Sequence, residues 1–285
     1  MWTRTRILLL GTGLACAIAS AASADDGLLE RGNYLVNTIM ACGNCHTPMT
    51  PQGPDVSRAL SGGLRFNEPV FDVYASNITP DVETGIGAWS DEDIKNALVH
   101  GERPDGTTLA PIMPSAFYRA LSERDLNAVV AYLRSVPAVA NEVPGPTYKV
   151  TLPPMVIPGA EDPIEENERA GDPVREGFYL ATIGHCMECH TGRVDHVPDH
   201  VNALGAGGFE FPGPWGVSVA ANITQHPTEG IGDYSDEEIV AAIIKGVRPD
   251  GSPLMPPMGY PYYANMTDED LSNLVAYLRT VPPHP

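Results

Sequence analysis

One segment of this chain is written twice, 145 residues apart. Residues 103–109 read RPDGTTL and residues 248–254 read RPDGSPL. The same offset lays Asn77-Ile78-Thr79 on Asn222-Ile223-Thr224, and 84–95 (TGIGAWSDEDIK) on 229–240 (EGIGDYSDEEIV). It also lays 122–137 (SERDLNAVVAYLRSVP) on 267–282 (TDEDLSNLVAYLRTVP), and Gly62-Gly63 on Gly207-Gly208. Near the cysteines the offset slips by one residue. A tandem duplication of roughly 110 residues per copy predicts two small domains of one kind, not one large core. The expected boundaries are 25–140 and 173–285. Residues 141–172 between them carry Pro144, Pro146, Pro153, Pro154, Pro158, Pro163 and an acidic run, which reads as a semi-rigid linker.

Within each copy the apolar spacing is helical. Leu126, Val129, Val130 and Leu133 recur at i, i+3, i+4 and i+7, as do Leu271, Leu274, Val275 and Leu278. Ser122 with Asp125 and Thr267 with Asp270 read as capping-box starts, as do Ser90 with Asp93 and Ser235 with Glu238. A further helix is expected before each cysteine pair, around 28–41 and 174–185. No run of period-two alternation stands out, so the expected class is all-α. Three helices and long Gly/Pro-rich loops make a thin core for each copy, which predicts that a non-protein group fills the middle.

The chain has five cysteines. Cys16 lies in the apolar run 7–21, behind Arg4 and Arg6 and before the small residues Ala22-Ser23-Ala24. Residues 1–24 therefore read as a cleaved signal peptide, with an uncleaved anchor or a cut before Cys16 as rivals. Export to the periplasm follows from that reading. The remaining four form Cys42-Gly43-Asn44-Cys45-His46 and Cys186-Met187-Glu188-Cys189-His190. Both are C-x-x-C-H, the attachment pattern of c-type haem. Cysteines three apart share one side of a helical turn, so both sulfurs reach the two vinyl groups of one haem edge. The next residue turns its imidazole to the iron. A redox C-x-x-C would follow a strand, and a zinc site shared by both pairs would not give each its own histidine.

The repeat also selects a second axial ligand. Within the first copy Met113 is the one methionine well downstream of the motif, and at the repeat offset it falls on Met258; Met255 and Met266 fall on Ala110 and Leu121. Flanking prolines stiffen the Met113 loop. The expected iron ligands are thus His46 with Met113 and His190 with Met258, giving two covalently bound haem c. His/Met ligation leaves no open position and raises the potential.

With these residues in view, the chain resembles a two-domain, dihaem member of the class I c-type cytochromes. Gly32, Tyr34 and Tyr132, repeated as Gly177, Tyr179 and Tyr277, resemble that family's crossing of terminal helices. The strings SNITPDVETGIGAWSDEDI and LRSVP resemble the cytochrome c subunits of periplasmic alcohol, sugar or aldehyde dehydrogenases. The resemblance implies helices and loops wrapped around one haem per domain. It implies one-electron transfer from a dehydrogenase to a later cytochrome or oxidase, with no catalytic residues of its own.

Other residues are candidate haem contacts. Asn77 and Asn222 match glycosylation acceptors but read better as structural residues near the haem edge. Trp89 and Tyr234 either bond a propionate or pack as aromatics. Arg103 and Arg248 either neutralise propionates or brace the Pro-Asp-Gly turn. His185 reads as a packing residue, or as a rival iron ligand.

With 36 acidic against 17 basic residues the net charge is −19, and −21 once residues 1–24 leave. Such a surface repels a nucleic-acid backbone and favours redox partners with a basic docking face. No membrane-spanning run is expected in the mature chain. The rival function is a haem enzyme, a dihaem peroxidase or sulfur-compound dehydrogenase, which would need one labile axial methionine. A haem-based sensor is disfavoured by the lack of a recognisable output segment.

Overall fold

The computed structural model describes residues 26–150, 155–194, 197–213 and 216–285. The signal-peptide reading of 1–24 lies outside the described residues. Helix α1 runs α-helically over 26–34 and continues as a π-helix over Leu35–Ile39. The short α2, Gly43–His46, carries the first motif. After it come a hairpin of β1 (Met49–Thr50) and β2 (Gly53–Pro54) and a second of β3 (Arg65–Asn67) and β4 (Phe71–Tyr74). Helices α3 (Asp91–His100), α4 (Ser115–Tyr118) and α5 (Glu123–Ser135) follow.

Strand β5 (Thr147–Tyr148) and α6 (Glu166–Arg169) lead into α7 (Pro173–Ile183) and the second motif on α8 (Cys186–His190). Hairpins β6 (Arg193–Val194) with β7 (Val197–Pro198) and β8 (Glu210–Gly213) with β9 (Gly216–Val219) come next. The chain closes with α9 (Asp236–Lys245), α10 (Tyr260–Tyr263) and α11 (Asp268–Leu278).

The strands correct the all-α expectation: the chain is mixed α and β, with several small antiparallel sheets. Each strand is two to four residues long, too short for alternation to register as a pattern. The longest in the first half does alternate: Phe71 and Val73 are both 6% exposed, while Asp72 and Tyr74 are half-buried. They pack with Ala110 in a small apolar cluster apart from the main core. Strand β5 covers the outer edge of β4, pairing Tyr148 with Phe71 and Thr147 with Asp72. No third strand lies beside β9 among the described residues.

Helices start and stop where local chemistry dictates. Ser90 and Asp93 cap α3 reciprocally, Asp93 N to Ser90 Oγ at 3.1 Å and Ser90 N to Asp93 Oδ2 at 2.8 Å. Ser235 and Glu238 do the same for α9, at 3.2 and 2.8 Å. Gly101 and Gly246 end these helices in the left-handed region. Helix α5 buries Ala128, Val129, Val130 and Leu133, and α11 buries Leu271, Leu274, Val275 and Leu278. Full burial of such a side chain contributes about 1.5–3 kcal/mol.

Glycines set the helix crossings. A Cβ on Gly32 of α1 would lie 2.0 Å from Ala128 O and 2.7 Å from Tyr132 Cβ of α5. A Cβ on Gly177 of α7 would lie 1.9 Å from Asn273 O and 2.7 Å from Tyr277 Cβ of α11. Only glycine lets these backbones approach so closely.

One hydrophobic core runs through both halves, from Leu35 and Val36 to Leu278 and Val281. The segment 141–172 contributes Ile157, Ala160 and Ile164 to it, and Ile164 N donates to Ala120 O at 3.0 Å. Among the described residues no helix is long and apolar enough to cross a membrane.

Candidate haem-attachment segments

Each C-x-x-C-H follows a residue with positive φ: Ala41 at 47° and His185 at 43°. This left-handed turn swings the chain out of α1 or α7 and starts the short motif helix. The helical turn puts Cys42 with Cys45, and Cys186 with Cys189, on one side. All four are unpaired thiols and half-buried. Burial pushes Cys42 and Cys45 up to about 12 and Cys186 up to about 11, and it raises Cys189 as well. The thiols therefore stay protonated near neutral pH, unlike the thiolates of a reactive or zinc-binding site.

The histidines are held alike. His46 Nδ1 donates to Ser76 O at 2.7 Å, and His190 Nδ1 donates to Ala221 O at 2.7 Å. Burial lowers both imidazole pKa values, the carbonyls opposing it, so the rings are neutral at physiological pH. With the proton fixed on Nδ1, the lone pair sits on Nε2. A carbonyl on the far nitrogen is the usual support for a metal-ligating histidine. The backbone next to each ring is also pinned: Gly62 N donates to His46 O at 2.7 Å and Gly207 N to His190 O at 2.9 Å. Gly62 and Gly207 have φ of 77° and 72°, which glycine adopts freely.

Met113 is half-buried against the main core. Met258 is half-buried as well, on a loop held by Asn44 Nδ2 to Pro257 O at 3.1 Å and Ser218 Oγ to Pro256 O at 2.6 Å. Met255 is 40% exposed. Among the described residues no three His, Cys, Asp or Glu side chains gather as a metal-binding group.

The other candidates are engaged in the scaffold. Asn77 donates to Val139 O at 2.7 Å and accepts from Thr79 N at 3.0 Å. Asn222 donates to His284 O at 2.7 Å and accepts from Thr224 N at 2.9 Å. Arg103 braces its turn through Thr107 Oγ1 at 3.3 Å and Thr108 O at 3.4 Å; Arg248 does so through Pro253 O at 3.0 Å. Trp89 and Tyr234 pack on the core. Their carbonyls are bonded by Arg134 and Arg279, which also pair with Asp91 and Asp236. These arginines belong to the repeated LRSVP and LRTVP strings, where the sequence carried a signal that its helical reading passed over.

Residues 174–282 match the family model for cytochrome c. This part of the chain is a cytochrome c domain. Such a domain implies covalently bound haem c, and the fit here is good. Two protonated thiols on one side of a turn, beside a neutral imidazole with its Nε2 lone pair available, form the donor set that a c-type haem takes. Over its length the chain is 32% identical to the cytochrome c subunit of the quinone alcohol dehydrogenase of Gluconobacter oxydans (strain 621H), covering 94% of this chain and 57% of that protein. It is 31% identical to the fructose dehydrogenase cytochrome subunit of Gluconobacter japonicus, covering 98% and 58%. It is 27% identical to a diheme cytochrome of Cereibacter sphaeroides, covering 85% and 82%. The chain thus spans a little under three-fifths of the length of these two dehydrogenase subunits.

Proposed function

We propose that the chain is a dihaem electron-transfer protein. One haem c is joined to Cys42 and Cys45 with His46 and Met113 as iron ligands. The other is joined to Cys186 and Cys189 with His190 and Met258. The observation that carries this reading is the identical setting of His46 and His190, each with Nδ1 on a backbone carbonyl at 2.7 Å inside a C-x-x-C-H turn. Bound haem supplies a one-electron iron centre. The protein's residues do the rest. The carbonyls of Ser76 and Ala221 orient the imidazoles, and Met113 and Met258 would supply the second ligand to each iron. Burial then excludes competing ligands.

The protein is exported through residues 1–24 and passes electrons from a periplasmic dehydrogenase to a later cytochrome or oxidase. Its net charge of −19 suits partners with a basic docking face, met through small transient contacts. The relatives named as cytochrome subunits of alcohol and fructose dehydrogenases support that choice of donor class.

The test is a pyridine haemochromogen assay on the exported protein, with carbon monoxide added to the reduced form. Two haems per chain and no carbon monoxide binding are expected. One haem per chain, or ready binding of carbon monoxide, overturns the relay reading.

A further inference from the structure

The capping boxes expected at Ser122/Asp125 and Thr267/Asp270 are each closed through a tyrosine from the other half of the chain. Ser122 N donates to the Tyr179 hydroxyl at 3.4 Å, and that hydroxyl donates to Asp125 Oδ2 at 2.7 Å. Thr267 N donates to the Tyr34 hydroxyl at 3.1 Å, and that hydroxyl donates to Asp270 Oδ2 at 2.5 Å. Tyr34 and Tyr179 are 145 residues apart, and so are Asp125 and Asp270. Each half therefore inserts its first-helix tyrosine into the last-helix cap of the other.

Reciprocal contacts of this kind define a two-fold relation, in which residue i meets j and j meets i. Residues near the axis should then meet the matching stretch of the other half, and they do. A Cβ on Gly184 would lie 3.2 Å from Ile39 O, and His185 Nε2 donates to Met40 O at 3.4 Å. The offset has slipped to 144 here, so Gly184 corresponds to Met40 and His185 to Ala41, and each meets the residue just before its counterpart. Ile39, Met40, Gly184 and His185 all lie within three residues of the two C-x-x-C-H turns, so the turns start from opposite sides of the axis. His185 spends its other nitrogen on Glu188 at 3.0 Å, within the second motif.

We infer that Tyr34 and Tyr179 are positioning residues, whose reciprocal caps fix the mutual orientation of the two haem-attachment segments and so of the two haems. Neither hydroxyl belongs to the haem-binding set. Each works through a helix start that only the other half can complete. The inference rests on the proposed function, because it needs a haem at each motif.

The experiment uses the full exported holoprotein and its Tyr34→Phe/Tyr179→Phe double variant. Phenylalanine keeps the rings and removes only the hydroxyls. Haem–haem orientation is read as the exciton couplet in the Soret circular dichroism. Each haem's own ligation is read from its absorption spectrum and its Met–iron charge-transfer band. The double variant is expected to lose or invert the couplet, with ligation of both haems unchanged. Each single variant is expected to give a partial change. An unchanged couplet in the double variant overturns the inference. So does a change in ligation at either haem, which would place the tyrosines at single sites. Fewer than two haems in the unmodified protein overturns the reading beneath it instead.

Discussion

The Tyr179 hydroxyl donates to Asp125 Oδ2 at 2.7 Å and closes a helix cap that lies far away in the sequence. Asp125 is fully buried, and Arg31 holds it bidentately at 2.8 and 2.7 Å. Arg169 stands 3.9 Å away, itself bound to Glu176 and stacked 3.9 Å over the Tyr179 ring. Removing one member of a buried charge pair costs about 3–5 kcal/mol, because its partners stay buried and uncompensated. Asp125→Ala should therefore destabilise the protein by about 3 kcal/mol in denaturant unfolding. Asp270→Ala, at a half-buried cap where Arg31 acts only through space and not as a bidentate partner, should cost about 1 kcal/mol. Equal costs would show that the charge network adds nothing beyond the cap.

The same carboxylate makes stability depend on pH. Burial alone would raise the Asp125 pKa, but the Arg31 hydrogen bond and charge, with Tyr179 and Arg169, hold it below the usual carboxylate range. The folded value lies under the unfolded one. The contribution is therefore complete above about pH 4 and is lost as pH falls through the folded value. Urea melts from pH 7 down to pH 3 should show a shallower acid loss in Asp125→Asn than in the parent. Parallel curves would remove Asp125 from the titration.

The proposed ligands make a spectroscopic prediction. Met113→Ala and Met258→Ala should each open one haem to an external ligand and lower its reduction potential, since a thioether ligand raises it. Met255→Ala should leave the spectrum and both potentials unchanged, as its side chain is 40% exposed. Loss of one Met–iron band in Met255→Ala, and its survival in Met258→Ala, would reassign the second ligand.

The open edge of β9 predicts a difference in amide exchange. Asp72 of β4 pairs with Thr147, and Lys149 N donates to Val70 O at 3.0 Å. At the repeat offset Asp72 falls on Val217, which is 61% exposed and pairs with Pro212 of β8, with no strand on its outer side among the described residues. Unpaired edge amides exchange at low opening cost. Hydrogen exchange should be faster at the Val217 amide than at Asp72. Equal protection would mean that the second edge is covered too.

Much of this was legible in the sequence because it is local. The C-x-x-C-H spacing, the Ser90 and Ser235 caps and the apolar stripes of α5 and α11 all follow from residues within a turn or two of each other. What was not legible depends on distant partners. Asp125 and Asp270 carry the capping-box spacing, yet their carboxylates take a tyrosine hydroxyl from the other half. The β4 strand alternates over only four residues, and its register with β5 depends on a segment that composition reads as linker. Ser76 and Ala221 serve through backbone carbonyls, so their side chains carry no signal.

The helix crossings give the sharpest stability test. A Cβ at Gly32 or Gly177 would lie about 2 Å from a carbonyl oxygen of the facing helix, far inside contact distance. The neighbouring atoms are backbone and cannot rotate away, so α1 and α5, or α7 and α11, would have to separate. Overpacking of this kind costs about 1–3 kcal/mol, and Gly32→Ala and Gly177→Ala should fall at or above the top of that range. Gly27 lies in the same α1 with nothing within 4 Å of its Cβ position. There alanine should stabilise by up to about 1 kcal/mol, through helix propensity. Thermal unfolding of the three holoprotein variants, followed in the far ultraviolet, separates the effects. If Gly32→Ala were as well tolerated as Gly27→Ala, α1 and α5 would not cross as closely as described.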